Sequence, residues 1–180
     1  NDVLLNLVTC TLIIFGGIGF LVIMDVIKKR SFRKLTLHSK VVISMSVLLI
    51  VLGTVALKLT ENITWLGAFF HSVSARTAGF STYSLGNFTN AGLFVLILLM
   101  FIGASPGSTG GGIKTSTVFV MGNVIRGVIF NKHYSAFRRK ISESVIMQAF
   151  VVTLLSFCIV AFSVFLISIL EPEYSFMQIL

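Results

Sequence analysis

The sequence predicts an all-α integral membrane protein, and its composition, its apolar runs and its charge pattern all favour that fold class. The 180 residues are 56% hydrophobic and 11% charged, whereas an average soluble domain carries about 25% charged residues. Mean hydropathy is +1.00, and a chain of this length has too little interior to bury so many apolar side chains. Several apolar runs reach the roughly 20 residues that a helix needs to cross a bilayer. The expected solvent is therefore the lipid bilayer.

The basic residues are concentrated in two short loops. A net charge of +8 would indicate a nucleic-acid-binding protein if these residues formed one face of a soluble domain. Most of them instead lie at 28–40 and 126–140, each between apolar runs. That distribution is typical of cytoplasmic loops. It argues against a nucleic-acid partner and predicts that both loops are cytoplasmic parts of a multi-pass membrane protein, whose expected location is the cell (plasma) membrane.

Three apolar runs are long enough to cross the bilayer once, at residues 7–27, 41–59 and 144–170. The glycines at 16, 17 and 19 in the first run are interpreted as sites of close helix packing. Because both basic loops are expected on the same side, the segment between Leu59 and Arg126 must make one further net crossing. The chain starts without Met, and we expect it to be part of a longer protein.

The segment 64–74 is apolar but has only about half the length that a crossing needs. It leads directly into Arg76 and the stretch 77–81 (TAGFS), a pattern that predicts a re-entrant pore helix and loop. Cation selectivity requires a row of backbone carbonyls that replaces the hydration shell, and Gly79 allows the dihedrals that align them. The alternative is an ordinary turn after a short interfacial helix.

Two side chains near this stretch are interpreted more simply. Arg76 is assigned to the solvated outer mouth, with a role in holding the loop as the alternative. His71 is assigned to packing or hydrogen bonding and not to metal binding. The sequence contains no nucleophile–base pair, no paired carboxylates and no Cys/His metal spacing, so it does not favour an enzyme.

A broken helix is predicted in the next segment. The apolar stretches 91–102 and 113–125 flank residues 103–112, which contain five Gly and one Pro and cannot form a regular helix. Lys114 lies about 18 Å of helix before Arg126, which places the break near mid-membrane. Irregular backbone at that depth is tolerated where it is buried in protein or lines a water-filled cavity. Lys114 is a candidate functional residue because ionisable groups are costly there.

The same Gly-rich stretch has an alternative interpretation as a phosphate-binding loop. Residues 107–115 differ from the GxxxxGK[ST] motif by the inserted Ile113, which moves Lys114 out of register. The stretch also lies between membrane-length apolar runs with no Walker B candidate nearby. Nucleotide binding is therefore the less favoured alternative.

Two motifs together resemble a known family. The stretch 74–82 (SARTAGFST) is followed by 101–115 (FIGASPGSTGGGIKT). This combination is similar to the Ktr/Trk/HKT superfamily of potassium transporters, and it is most similar to the KtrB branch of ion-translocating subunits. The resemblance extends across essentially the whole chain. One departure is the run of three glycines at 110–112, where related sequences often have Ala.

The resemblance implies four helix–pore loop–helix repeats around one pore, of which this chain would hold a part. Residues 1–40 would be the last helix of the second repeat and a cytoplasmic basic loop, and residues 41–125 the complete third repeat. Residues 126–143 would be the second basic loop. Residues 144–180 would be the first helix of the fourth repeat and the start of its pore helix.

The resemblance also implies roles for individual residues. The ion selectivity filter would comprise Thr77, Ala78, Gly79, Phe80 and Ser81, with potassium bound through the backbone of the first three. A gating loop beneath the filter would comprise Ala104, Ser105, Pro106, Gly107, Ser108, Thr109, Gly110, Gly111 and Gly112. Lys114 would help to set the position of that loop.

The implied function is potassium ion transmembrane transport, as the ion-translocating subunit of a potassium uptake system. Implied partners are a second copy of the chain in a homodimer and a cytosolic ring of nucleotide-binding regulatory subunits. The chain itself would bind no cofactor, with potassium as substrate and sodium as a candidate coupling or modulating ion. Two other classes stay open: a membrane subunit that binds nucleotide through residues 107–115, and a membrane scaffold without transport.

Overall fold

The computed structural model describes residues 3–76, 78–131, 134–137 and 139–180, and most of these residues are helical. Thr77 of the predicted filter lies outside the described residues, as do Lys132, His133 and Arg138 of the second basic loop. The elements, in chain order, are α1 Val3–Ile18, α2 Phe20–Lys29, α3 Leu37–Thr60, α4 Trp65–Ser74, α5 Asn90–Phe101, α6 Thr115–Phe130, β1 Ser135–Ala136, β2 Arg139–Lys140, α7 Glu143–Leu170 and α8 Phe176–Ile179.

Two of the described helices, α3 and α7, are each long and apolar enough to cross a membrane alone. The pair α1 and α2 meets the same criterion only together, and it is bent by 95° at the break between the two helices. The predicted span 7–27 is therefore interrupted. Gly19 lies at the break with a φ of 91°, which glycine adopts without steric cost. Gly19 thus forms a bend, which corrects its interpretation as a helix-packing residue.

Three helices begin after a threonine whose side chain caps the first turn. Thr36, Thr64 and Thr89 precede α3, α4 and α5. Each hydroxyl oxygen accepts a hydrogen bond from the backbone N–H three residues later, at 3.3, 3.1 and 3.1 Å. These caps satisfy N–H groups that the start of a helix leaves without an intrahelical partner.

Two of these caps are each reinforced by a carboxylate that joins separate helices. Asp25 of α2 accepts hydrogen bonds from the backbone N–H and the hydroxyl of Thr36, both at 2.9 Å, and forms an ion pair with Lys29 at 2.8 Å. Glu61, which follows α3, accepts from the N–H and the hydroxyl of Thr89 at 2.9 and 2.6 Å. Carboxylates therefore tie the start of α3 to α2 and its end to α5.

Helix α4 is the most enclosed element, in contact with α1, α3 and α5. Seven of its ten residues are buried. Gly53 allows α4 and α5 to approach α3 closely, since a Cβ atom on Gly53 would overlap the side chains of Ser72 in α4 and Leu99 in α5. The Ser72 hydroxyl also donates to the Ile50 carbonyl at 3.0 Å. The core cluster beside α4 contains Leu57, Ile63, Ala68, Phe88 and Leu96.

The last third of the described chain is more open. Of the 28 residues of α7, Ala149 is the one that is buried, and its exposed surface is largely apolar. Before α7, strands β1 and β2 form an antiparallel ribbon in which Ser135 pairs with Lys140 and Ala136 with Arg139. This short ribbon is a feature that the all-α prediction omitted. The fold as a whole remains that of a mostly helical membrane protein.

The substitution Glu61→Ala should destabilise the fold, because it removes two hydrogen bonds to a charged acceptor and leaves the Thr89 cap of α5 weaker. We expect a loss of about 2 kcal/mol, measured as a lower thermal unfolding temperature of the purified protein in detergent. Glu173→Ala is the matched control, since Glu173 is exposed. Equal unfolding temperatures for the two variants would contradict the bridging role of Glu61.

Candidate functional site

The predicted filter begins where α4 ends. Residues 78–81, which we call the filter turn, follow the buried last residue of α4, Ser74, after three intervening positions. Ala78 is half-buried, whereas Gly79, Phe80 and Ser81 are exposed. The filter turn is thus held on one side by a buried helix and open on the other.

Ser74 contacts the filter turn through both its backbone and its side chain. The Ser74 carbonyl accepts hydrogen bonds from the backbone N–H groups of Ala78 and Gly79, at 3.0 and 3.1 Å. Its hydroxyl donates to the Phe80 carbonyl at 2.5 Å. Ser74 is only 1% exposed, so water does not compete for these bonds. The N–H groups of two filter residues and the carbonyl of a third therefore face α4.

Gly79 has a φ of 74°, and a Cβ atom there would meet no other atom of the described chain within 4 Å. The need for glycine at this position is thus conformational and not a matter of space, because other residues are strained at such a φ. A partly open cavity of about 430 Å³ lies beside the filter turn, and its wall includes His71 of α4 and Leu96 and Met100 of α5.

Arg76 and His71 are both buried, with exposures of 9% and 3%. This burial corrects the assignment of Arg76 to the solvated mouth. Arg76 Nε and His71 Nε2 have no hydrogen-bond partner among the described residues. The His71 ring packs against Tyr83 and Phe88, with centroid separations of 6.0 and 5.2 Å. The packing role predicted for His71 agrees with these contacts.

The Gly-rich loop, defined here as residues 104–112, is not helical, as the sequence predicted. Its two ends meet: the Ile113 N–H donates to the Phe101 carbonyl at 3.1 Å, and the Ala104 N–H donates to the Gly111 carbonyl at 3.3 Å. A Cβ atom on Gly103 would overlap the Gly111 backbone, so glycine is required for this approach.

Polar contacts fix several residues of the Gly-rich loop. The hydroxyls of Ser105 and Thr115 lie 3.0 Å apart in a hydrogen bond, and both residues are fully buried. The Lys114 ammonium donates to the Gly110 carbonyl. In a phosphate-binding loop the lysine and the hydroxyl would face a nucleotide and its metal ion. Here both are engaged within the chain, so the geometry gives the nucleotide-binding alternative no support.

The remaining predicted loop residues differ in exposure. Ala104, like Ser105, is buried; Pro106, Ser108, Gly110 and Lys114 are half-buried; and Gly107, Thr109, Gly111 and Gly112 are exposed. The loop therefore has a buried base and an exposed tip. Its tip is held by few side chains, among them Ser108, whose hydroxyl donates to the Ser105 carbonyl at 2.6 Å.

Sequence reasoning missed the roles of Ser74 and Gly19. Ser74 belongs to the motif that carries the family resemblance, but that resemblance implies no role for it. A serine at the end of a short apolar helix, directly before a filter-like stretch, could have indicated a hydroxyl that bonds the returning backbone. The bend at Gly19 has a weaker signal, because glycine is also common in straight membrane helices.

Comparison with known families supports the resemblance seen in the motifs. The TrkH family, described as "Cation transport protein", matches residues 41–180. The Ktr system potassium uptake protein B of Vibrio alginolyticus is 36% identical over 187 residues, which cover 95% of this chain and 41% of that protein. The potassium/sodium uptake protein NtpJ of Enterococcus hirae is 35% identical over 190 residues, covering 97% and 42%.

A further relative agrees with this family, and a solved structure agrees with the fold. The Ktr system potassium uptake protein B of Bacillus subtilis is 35% identical over 192 residues, covering 99% of this chain and 43% of that protein. The crystal structure of the potassium transporter TrkH from Vibrio parahaemolyticus has a TM-score of 0.67 at 18% identity, and the match covers 94% of this chain and 39% of that one. The chain spans about two fifths of the length of these curated relatives. The family and these relatives are transporters and not enzymes.

Proposed function

The chain belongs to the TrkH family of cation transport proteins, and on that premise we propose that it forms part of the ion pathway of a potassium uptake system. The observation that carries this proposal is the hold of Ser74 on the filter turn, with its hydroxyl on the Phe80 carbonyl at 2.5 Å. A selectivity filter needs a short backbone segment fixed by the protein and open to the path on one side. The filter turn meets that description.

The proposed filter works through backbone carbonyls. The N–H groups of Ala78 and Gly79 are bonded to Ser74, whereas the carbonyls of the same residues accept no hydrogen bond from the described part of the chain. These carbonyls would take the place of water around potassium. The Phe80 carbonyl is engaged by the Ser74 hydroxyl. As the family resemblance implies, potassium would bind through the backbone of Thr77, Ala78 and Gly79, while Phe80 and Ser81 would shape the end of the filter.

The proposed gate is the Gly-rich loop. It would lie in the ion path beneath the filter, with Lys114 fixing its blocking position through the bond to the Gly110 carbonyl. Its glycines give its tip many backbone conformations of similar energy. A modest difference in contacts with cytosolic partners would then be enough to shift the loop between blocking and open states.

The proposal also includes the rest of the assembly. Helix α4 and the filter turn would be the re-entrant part of the third of four repeats, within residues 41–125. Residues 1–40 would end the second repeat, 126–143 form a cytoplasmic loop and 144–180 begin the fourth. The transporter would be a multi-pass plasma-membrane homodimer with a cytosolic nucleotide-binding ring, and sodium would couple to or modulate transport.

The first experiment measures uptake and ion preference together. The full-length protein should restore growth of potassium-deficient cells, and Gly79→Ser should lower the preference for potassium over sodium about tenfold, because a side chain at a φ of 74° displaces the filter carbonyls. Ion-competed rubidium uptake measures the preference. Gly122→Ser in α6 is the control, since its Cβ atom would enter open space in a helix. An unchanged preference in Gly79→Ser would refute the filter assignment.

A second pair of variants tests the hold on the filter turn. Ser74→Ala removes the hydroxyl that bonds the Phe80 carbonyl and should weaken potassium preference about threefold or more, in a protein that still folds but loses about 1 kcal/mol of stability. Ser72→Ala is the matched control, because this buried serine lies in the same helix and its hydroxyl bonds Ile50 of α3. We expect the control to keep the parent preference. The same loss in both variants would mean that α4 packing, and not the Ser74 hydroxyl, sets selectivity.

A third pair tests the gate. Lys114→Met keeps the length of the side chain but removes its bond to the Gly110 carbonyl, and it should raise potassium flux per folded protein about threefold or more by freeing the loop. Lys58→Met removes a similar bond, from Lys58 to the Ile63 carbonyl, in a part of the chain remote from the loop in sequence. Flux should stay at the parent level in this control. Reduced flux in a well-folded Lys114→Met protein would mean that the loop supports conduction.

A further inference from the structure

The bend between α1 and α2 lies against the Gly-rich loop, and the two segments exchange backbone hydrogen bonds. The Ser105 N–H donates to the Gly17 carbonyl at 3.0 Å, and the Phe20 N–H donates to the Gly107 carbonyl at 3.3 Å. Gly17 lies in the last turn of α1, and Phe20 is the first residue of α2. Both are positions where a helix leaves a backbone group without an intrahelical partner. Each irregular segment therefore supplies the groups that the other lacks.

Gly19 permits this contact for two separate reasons. Its φ of 91° lies in a region that residues with side chains rarely adopt. A Cβ atom on Gly19 would also lie 2.8 Å from the Pro106 carbonyl oxygen and 3.2 Å from the Gly107 carbonyl group. By comparison, a Cβ atom on Gly16 would meet the Thr109 hydroxyl at 3.8 Å, an ordinary contact. Close approach to the loop thus depends on Gly19 in particular.

We infer that the bend, residues 17–20, is the seat on which the Gly-rich loop docks, and that Gly19 positions the loop there. The loop must leave this seat before a cation passes. The requirement that the loop leave rests on the proposed function. The inference adds to that function a specific contact between the loop and the helix pair α1 and α2. The gate position would then be set by α1 and α2 as well as by Lys114.

The physical basis is the shortage of other partners inside a membrane protein. An unpaired backbone N–H or carbonyl is costly away from water, so the bend and the loop stabilise each other while they are docked. When the loop leaves, the Gly17 carbonyl and the Phe20 N–H need new partners. Water that enters an opened ion path would supply them. Release of the loop and hydration of the path are therefore linked at the bend.

Reversible crosslinking tests the seat directly. A Cβ atom on Gly17 would lie 3.9 Å from the Ala104 Cβ atom, close to the mean separation of about 3.8 Å in disulfides. The double variant Gly17→Cys with Ala104→Cys, in the full-length protein with its native cysteines replaced, should form a disulfide on oxidation. Mass spectrometry of unreduced peptides detects it. Potassium flux into reconstituted vesicles should fall about tenfold or more on oxidation and return on reduction, while each single-cysteine variant should not respond.

The possible outcomes distinguish a failure of the proposed seat from a failure of the proposed transport function. Absence of the disulfide would overturn the contact, and a complete disulfide with unchanged flux would overturn the requirement that the loop leave. The disulfide is measured by mass whatever the protein transports. A parent protein that carries no potassium would therefore contradict the proposed function and leave the contact to be judged by the crosslink.

A second comparison tests Gly19 without oxidation. Gly19→Ala should push the loop off the seat and raise basal flux per folded protein about threefold or more, whereas Gly16→Ala should keep the parent flux. Equal flux in the two folded variants would contradict the positioning role of Gly19. If Gly19→Ala does not fold, the crosslinked pair still decides whether the loop must leave the seat.

Discussion

The need to pair backbone groups away from water is the constraint on which the rest of this structure depends. An α-helix satisfies its own backbone, but the bend at Gly19, the filter turn and the Gly-rich loop do not. Each of them is paired to a neighbour: the bend to the loop through Gly17 and Phe20, and the filter turn to the end of α4 through Ser74. The irregular segments of this chain are therefore fixed by one another and by helix ends.

Those contacts require that the helices keep fixed positions relative to one another. Carboxylates at the two ends of α3 contribute to this by bonding α3 to its neighbours. Asp25 bonds the Thr36 cap from α2, and Glu61 bonds the Thr89 cap of α5. With α3 tied to its neighbours at both ends, α4 is enclosed against it through the close approach at Gly53. The position of Ser74, and with it that of the filter turn, follows from the packing of α4.

Much of the helical pattern could be predicted from the sequence, because long apolar runs between charged loops leave few other options in a membrane. The short helix before residue 75 and the non-helical stretch after α5 were found from run length and glycine content. The bend at Gly19, the burial of Arg76 and the hold of Ser74 were not. The bend at Gly19 depends on contacts with residues 105–107, which are distant in the chain and which no local pattern encodes. The Ser74 bond is local, six residues from Phe80, but serine at a helix end has several other uses. The ribbon after Phe130 was missed because its charged residues are typical of a loop.

The two irregular segments differ in how they are held, and this difference bears on what each can do. The filter turn is bonded by a buried side-chain hydroxyl in addition to backbone groups, all from Ser74. The Gly-rich loop has a buried base at Ser105 but an exposed tip that includes Gly107 and Thr109. A segment that selects ions must keep its geometry while ions pass, whereas a segment that obstructs a path must have a second arrangement of similar energy. The contacts of the turn suit the first requirement and those of the loop suit the second, and this difference is the reason for proposing selection at the turn and obstruction at the loop.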